Sequence, residues 1–200
     1  MNDLISFIDT SAQLRSISPL FCKELQSFDS AITFIIIPNY SCNDMNYILF
    51  DFSRFTFIES IKIGNDCFGS VKTFQIDGLN RLKTIKIGNN SFNQEKNGGG
   101  RDASKSFHIL NCESLESIQI GKYSFEYFAG EFELKNLPQL QSIQIGKIKS
   151  RSYNFYNSSF EIEGIDLLLN IVMIRSSKST IHYFGWLCIL FIFINNNRKY

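Results

Sequence analysis

The side chains that could carry chemistry in this 200-residue chain are few and widely separated. Its five cysteines contain no C-x-x-C pair, and an odd number at wide spacing predicts neither a disulfide framework nor a zinc site. We interpret them as small apolar side chains in a reducing compartment. The five are Cys22, Cys42, Cys67, Cys112 and Cys188.

Acid–base chemistry would need a histidine, and the chain has two, His108 and His182. His108 lies between Phe107 and Ile109 in an alternating stretch, so we expect its side chain to be a solvated surface group rather than a general base. No hydrolase, metalloprotease, nucleotide-binding or dinucleotide-binding motif occurs. The sequence therefore predicts a protein that is not an enzyme and that holds no cofactor and no metal.

One glycine run, Gly98 to Gly100, raises the question of phosphate binding. No G-K-S/T sequence and no strand-to-helix context accompanies it, which argues against a phosphate-binding loop. Within Asn93 to Ser106 the glycines and mixed charges indicate a flexible surface loop that could contact a partner. Arg101 and Asp102 are the candidate contact residues of this loop.

Composition places the chain among globular proteins with a sizeable core, because 44% of its residues are hydrophobic. Twenty Lys and Arg against nineteen Asp and Glu leave a net charge of +1. Such a balance provides no overall field to attract nucleic acid or anionic lipid, so we predict no nucleic-acid partner.

Five segments repeat one hydrophobic pattern, with an apolar residue 0, 2, 5, 8, 11 and 13 positions after the segment start. The starts are Phe50, Phe74, Phe107, Phe132 and Phe160. Their spacings of 24, 33, 25 and 28 residues fall in the range of stacked structural repeats. Glycine follows the last position in four copies, as Gly64, Gly88, Gly121 and Gly146.

The pattern predicts two short strands joined by a bend, because positions 0 and 2, and again 11 and 13, alternate as in a strand. Stacked copies would place each side chain over its equivalent about 4.8 Å away, so that rows of like residues form one interior. We therefore predict a mainly β fold, a parallel β-solenoid of about five to six rungs with little helix.

Two copies, LKTIKIGNNSF from Leu82 and LESIQIGKYSF from Leu115, resemble the leucine-rich-repeat consensus L-x-x-L-x-L-x-x-N-x-L. Asn90 holds the asparagine position of the first copy. An I-x-I strand closed by Gly or Pro and followed by S-F is more similar to the BspA-like subclass, which occurs in large families of protist proteins. The resemblance covers about residues 32–173 and implies leucine-rich-repeat-like rungs and a role in protein binding.

Alternation leaves one row of outward positions on each predicted sheet. The I-x-I strands present Lys62, Lys86, Gln119 and Gln144. The F-x-I strands present Asp51, Gln75, His108, Glu133 and Glu161. The first row is more basic and the second more acidic, which is typical either of a solvated exterior or of a charge-complementary docking surface. The I-x-I row, with Arg101 and Asp102, is the candidate partner-binding surface.

The ends of the chain depart from the pattern, which predicts three parts: an N-terminal cap over residues 1–30, the solenoid over 31–175, and a C-terminal cap or apolar tail over 176–200. A short helix is expected around Ala12 to Ser27. The apolar run after Lys178 is read as a terminal rung or cap, as a membrane anchor from Tyr183 to Ile194, or as a divergent end. As a rung, it would continue the pattern with Phe184, Trp186, Ile189 and Ile192.

The leading functional prediction is a non-enzymatic, leucine-rich-repeat-like scaffold that mediates protein–protein interaction. A cytoplasmic location is expected because Met1 to Leu20 lacks the features of a secretory signal. The alternative is a membrane-tethered surface or adhesion protein held by Tyr183 to Ile194, which glycosylation at Asn157 would favour.

Overall fold

A computed structural model describes residues 14–16, 22, 31–94, 101–146, 152–155, 158–165, 170–173 and 181–184. These residues form thirteen β-strands in two sheets and contain no α-helix. The first sheet contains β1 Leu14–Ser16, β2 Phe34–Ile37, β4 Ser60–Ile63, β6 Thr84–Ile87, β8 Ser117–Ile120, β10 Ser142–Ile145 and β12 Asn170–Met173. The second contains β3 Leu49–Asp51, β5 Thr73–Asp77, β7 Ser106–Leu110, β9 Glu131–Lys135, β11 Ser159–Glu163 and β13 Ile181–Phe184.

The chain is a parallel β-solenoid, as the hydrophobic pattern predicts. Each of the five copies contributes one strand to the second sheet and then one to the first, and every strand pairs in parallel with its equivalent in the next copy. The pairing joins equivalent residues without slippage, so Ile61, Ile85, Ile118 and Ile143 lie one over another. A one-residue slip would turn these side chains outward, and the apolar pattern prevents it.

Two columns of stacked phenylalanines fill the interior. In the first column, the rings of Phe74 and Phe107 are parallel with centroids 4.6 Å apart. In the second, Phe92 and Phe125 lie 4.5 Å apart, and the columns meet edge to face, as at Phe107 and Phe125. Every patterned position whose burial is described is at most 4% exposed. Removal of these rings and of the buried isoleucine and leucine side chains from water is the main stabilising contribution to the fold.

Two polar ladders, one of asparagines and one of buried serines, hold the corner that follows the first sheet. The side-chain oxygen of Asn39 accepts the backbone N–H of Asn65 at 2.7 Å, and Asn65 accepts that of Asn89 at 2.8 Å. The Ser91 hydroxyl donates to the Gly64 carbonyl at 2.9 Å and accepts the Cys67 N–H at 3.2 Å. These bonds satisfy backbone groups that the turn would otherwise leave unpaired.

The ladder asparagine is not the residue that the leucine-rich-repeat alignment selects. The side chain of Asn90, in the consensus position, is exposed and donates to the Asp66 carboxylate at 3.2 Å. The side-chain oxygen of Asn89, one residue earlier, continues the ladder, because it accepts the Lys122 N–H at 3.0 Å.

The prediction of unpaired cysteines is wrong for Cys22 and Cys42, which form a disulfide. Strand β1 pairs with β2 at an offset of 20 residues, and the two cysteines are also 20 residues apart. Cys42 stands one rung before Phe68, in the column that Phe92 and Phe125 continue. At the N-terminal end of this column, the disulfide therefore stands where another phenylalanine ring would stack. Cys67 and Cys112 are buried free thiols, as predicted, and Cys188 lies outside the described residues.

Two expectations about the chain ends are corrected. The helix proposed around Ala12 to Ser27 is wrong at Leu14–Ser16, which form β1 and extend the first sheet by pairing with the edge of β2. Apart from Cys22, the rest of that range lies outside the described residues. At the other end, Phe160 pairs with Ile181, so Ile181 rather than Phe184 takes the first patterned position. An apolar run matches the pattern in several registers, and sequence alone could not choose among them. Trp186, Ile189 and Ile192 lie outside the described residues.

Candidate functional site: the outer faces of the two sheets

The outer face of the first sheet carries the predicted row in one continuous register. Lys62 pairs with Lys86, Lys86 with Gln119, and Gln119 with Gln144. The first three side chains are exposed, and Gln144 is half-buried. Each residue lies between two buried isoleucines of its strand, so the period of two forces it outward.

A second row, of hydroxyl side chains, runs beside the first. Each member lies two residues before a lysine or glutamine of the first row and pairs with the equivalent residue of the next strand. The members are Ser60, Thr84, Ser117 and Ser142. The Ser60 and Thr84 hydroxyls lie 2.8 Å apart. We call these two rows together the Lys/Gln face.

The Lys/Gln face has the chemistry of a binding surface. Among the residues that the structure describes, neither Lys62 nor Lys86 has an ion pair or a side-chain hydrogen bond, so both ammonium groups are available. Two such charges about 5 Å apart in water repel by only ~0.8 kcal/mol, which the sheet tolerates. Ammonium, amide and hydroxyl groups can donate hydrogen bonds and pair with carboxylates, but this face contains no general base.

The outer face of the second sheet contains a charged network instead of separate solvated groups. Nδ1 of His108 lies 2.6 Å from Oε2 of Glu133. Nζ of Lys135 lies 2.9 Å from Oε1 of Glu133 and 3.1 Å from Oε1 of Glu161. The expectation of a solvated His108 is wrong, because its side chain is only 15% exposed and is paired.

This network shifts two pKa values. Burial raises the pKa of the Glu133 carboxyl, but hydrogen bonds from Lys135 and His108 outweigh burial and leave it below its ordinary value. Hydrogen bonds to Glu133 and Glu161 raise the pKa of the Lys135 ammonium. Both groups therefore stay charged at neutral pH. Sequence reasoning missed Lys135 and the neighbouring Glu131, although the alternating stretch EFELK places both on the face that carries Glu133.

The candidate loop residues lie in a structured corner. Asp102 is 8% exposed, and its carboxylate accepts the Ser104 hydroxyl at 2.7 Å. Its backbone accepts the Ala129 N–H at 3.1 Å. Arg101 is half-buried, and residues 95–100 of the proposed flexible loop lie outside the described part. Asp102 holds the corner in place and is not joined with the Lys/Gln face.

The two free thiols in the described part are not suited to nucleophilic chemistry. Burial raises the pKa of Cys67 and raises that of Cys112 to about 11. At neutral pH both stay protonated, and the thiolate is the reactive form.

The proposed membrane anchor, Tyr183 to Ile194, has only Tyr183 and Phe184 among the described residues, both in β13. In the part of the chain that the structure covers, no helix has the length and apolar character needed to cross a bilayer.

Comparison with known proteins assigns this surface to no characterised group. No protein-family model, no curated protein and no solved structure matches the chain.

Proposed function

We propose that the chain is a non-enzymatic, leucine-rich-repeat-like scaffold that binds another protein through the Lys/Gln face. The observation that carries the proposal is the unbroken row from Lys62 to Gln144, with two lysines at one end that have no ion pair within the described residues. A solenoid holds such a row rigidly, so binding does not require the strands to become ordered.

The partner expected at this face is an acidic protein surface. Lys62 and Lys86 would pair with its carboxylates, and the amides and hydroxyls along the rows would form hydrogen bonds. Charge complementarity of this kind increases the association rate and contributes to specificity more than to affinity. Binding should therefore weaken as salt concentration rises.

Charge reversal tests the proposal. The double variant K62E/K86E, used as bait in extracts of the native cell, should lose the partner that the wild-type chain captures, because both changed side chains are exposed and point away from the core. K72E is the matched control, since Lys72 is exposed but lies beside the start of β5, away from this face. Equal capture by all three proteins, each folded by circular dichroism, would show that the face does not bind.

A second candidate function, that of a surface or adhesion protein, is favoured by the Cys22–Cys42 disulfide. Structural disulfides persist mainly in oxidising compartments. We propose that, in this case, Tyr183 to Ile194 hold the protein to a membrane and Asn157 carries a glycan. A mobility shift after endoglycosidase treatment, lost in N157Q, together with carbonate-resistant membrane association would support this candidate over the cytoplasmic one.

A further inference from the structure

We infer that the outer face of the second sheet contains a binding site for a divalent transition-metal ion, formed by His108, Glu131 and Glu133. One ligand atom from each of the three side chains lies within 4.8 Å of the others. This inference concerns a different face from the Lys/Gln face and does not depend on the proposed function.

Strand geometry brings the three residues together. Glu131 and Glu133 are two residues apart on β9 and therefore share a face of the sheet. His108, on β7, is the register partner of Glu133. Because the positions are set by two paired strands with buried interior neighbours, the site would be held rigidly before an ion arrives.

The ligand types indicate which ions fit. An imidazole nitrogen with two carboxylates suits Zn²⁺ and similar first-row ions, whereas Mg²⁺ and Ca²⁺ prefer oxygen ligands alone. Three protein ligands on an open sheet surface leave a fourth position for water or for a group from a partner.

The local charge favours a cation. Glu131, Glu133, Glu161 and Glu163 stand on the outer face of β9 and β11 against one lysine, Lys135. Lys135 contacts Oε1 of Glu133, while Oε2 faces His108. Within the described residues the Glu131 carboxylate has no hydrogen bond or ion pair, and it is exposed, so an ion can reach it from solvent.

A purely structural His108–Glu133 hydrogen bond would need no metal. The variant E131Q distinguishes this structural interpretation from metal binding. If the pair is only structural, Glu131 takes no part, and its replacement changes nothing. If the three residues bind a metal, E131Q removes one ligand and leaves the hydrogen bond intact.

The experiment is an isothermal calorimetric titration of the metal-free 200-residue chain with ZnCl₂, and Co²⁺ absorption is the second readout. We expect one ion bound at this site, with affinity at least about tenfold weaker in E131Q and in H108Q, since even loss of a supporting group costs 10- to 100-fold. The Glu131 carboxylate has no hydrogen bond or ion pair in the described part, so E131Q should fold normally.

Two matched variants act as controls. E163Q removes a carboxylate from the same face outside the three residues. H182Q removes the other histidine, whose Cα position is the register partner of Glu161. Both should bind Zn²⁺ within a few-fold of the wild-type chain. The inference is overturned if the wild-type chain binds no Zn²⁺, if E131Q binds it equally well, or if H182Q abolishes binding while H108Q does not.

Discussion

Glycine is needed at position 88 because the backbone of the adjacent rung lies too close for a Cβ. The backbone conformation there does not itself require glycine. A Cβ at Gly88 would lie 2.5 Å from the carbonyl oxygen of Gly64, and one at Gly121 would lie 2.4 Å from that of Gly88. Neither glycine has a positive φ. Phe92, by contrast, has a φ of 57° and is still not glycine, because its ring fills the second phenylalanine column.

At the residue scale we predict that G88A destabilises the protein by about 1–3 kcal/mol, because the methyl group must push two backbones apart. G69A is the matched control, since the nearest atom to its Cβ would be Asn43 Oδ1 at 3.5 Å, an ordinary contact. Urea denaturation followed by circular dichroism measures both. Equal urea midpoints for G88A and G69A would contradict the inference that a Cβ at Gly88 clashes with the adjacent rung.

The rung is the unit of stability at the element scale, because no single pair of strands encloses a core. Within one rung, Phe107 and Phe125 meet edge to face with centroids 5.1 Å apart. Between rungs, Phe107 stacks on Phe74 and on Phe132, at 4.6 and 4.8 Å. A side chain in a central rung therefore stabilises three rungs at once.

We predict that F107A lowers the free energy of unfolding by about 3–5 kcal/mol, since the cavity would be lined by rings that cannot close over it. F57A is the control: Phe57 is 42% exposed and contacts the Arg81 guanidinium at 4.6 Å, so its loss should cost below about 1 kcal/mol. Thermal unfolding would measure the difference. A cost for F107A no larger than that for F57A would be inconsistent with continuous columns.

At the scale of the whole molecule, the N-terminal end of the solenoid differs from its central rungs. At the N-terminal end of the solenoid, the first sheet begins before the second. Two strands of the first sheet, β1 and β2, precede β3, which is the N-terminal edge strand of the second sheet. Within the described residues, the large exposed hydrophobic side chains all lie in the first rungs, between residues 40 and 57: Tyr40, Met45, Ile48, Leu49 and Phe57. The Cys22–Cys42 disulfide fastens the first rung at the same end.

We predict that C22S/C42S lowers stability by about 2–4 kcal/mol, because the disulfide closes a loop of roughly 20 residues. Fraying should be greatest in Phe34–Ile37, which hydrogen exchange would detect as lost protection. A reductant should destabilise the wild-type chain and leave the double variant unchanged. Recovery of Cys22 and Cys42 as separate peptides from non-reduced wild-type protein would show that the bond is absent.

The sequence by itself determined the repeated strands, the inward and outward positions and the stacking of equivalent residues. It could do so because alternation has a period of two and each apolar position needs a like neighbour above and below. The outward placement of Lys62, Lys86, Gln119 and Gln144 follows from the same period and is confirmed by the alternating burial along their strands.

Only the tertiary structure decided which distant residues meet. The Cys22–Cys42 bond depends on the β1–β2 register, and residues 1–30 carry no pattern from which that register could be read. The repeat predicts that His108 stacks on Glu133, as the register shows, but it does not predict that Glu131 offers a third ligand atom within 4.8 Å of both, because that depends on side-chain conformation. Periodicity predicts the direction of a side chain, whereas contacts across strands depend on the length of every turn between them.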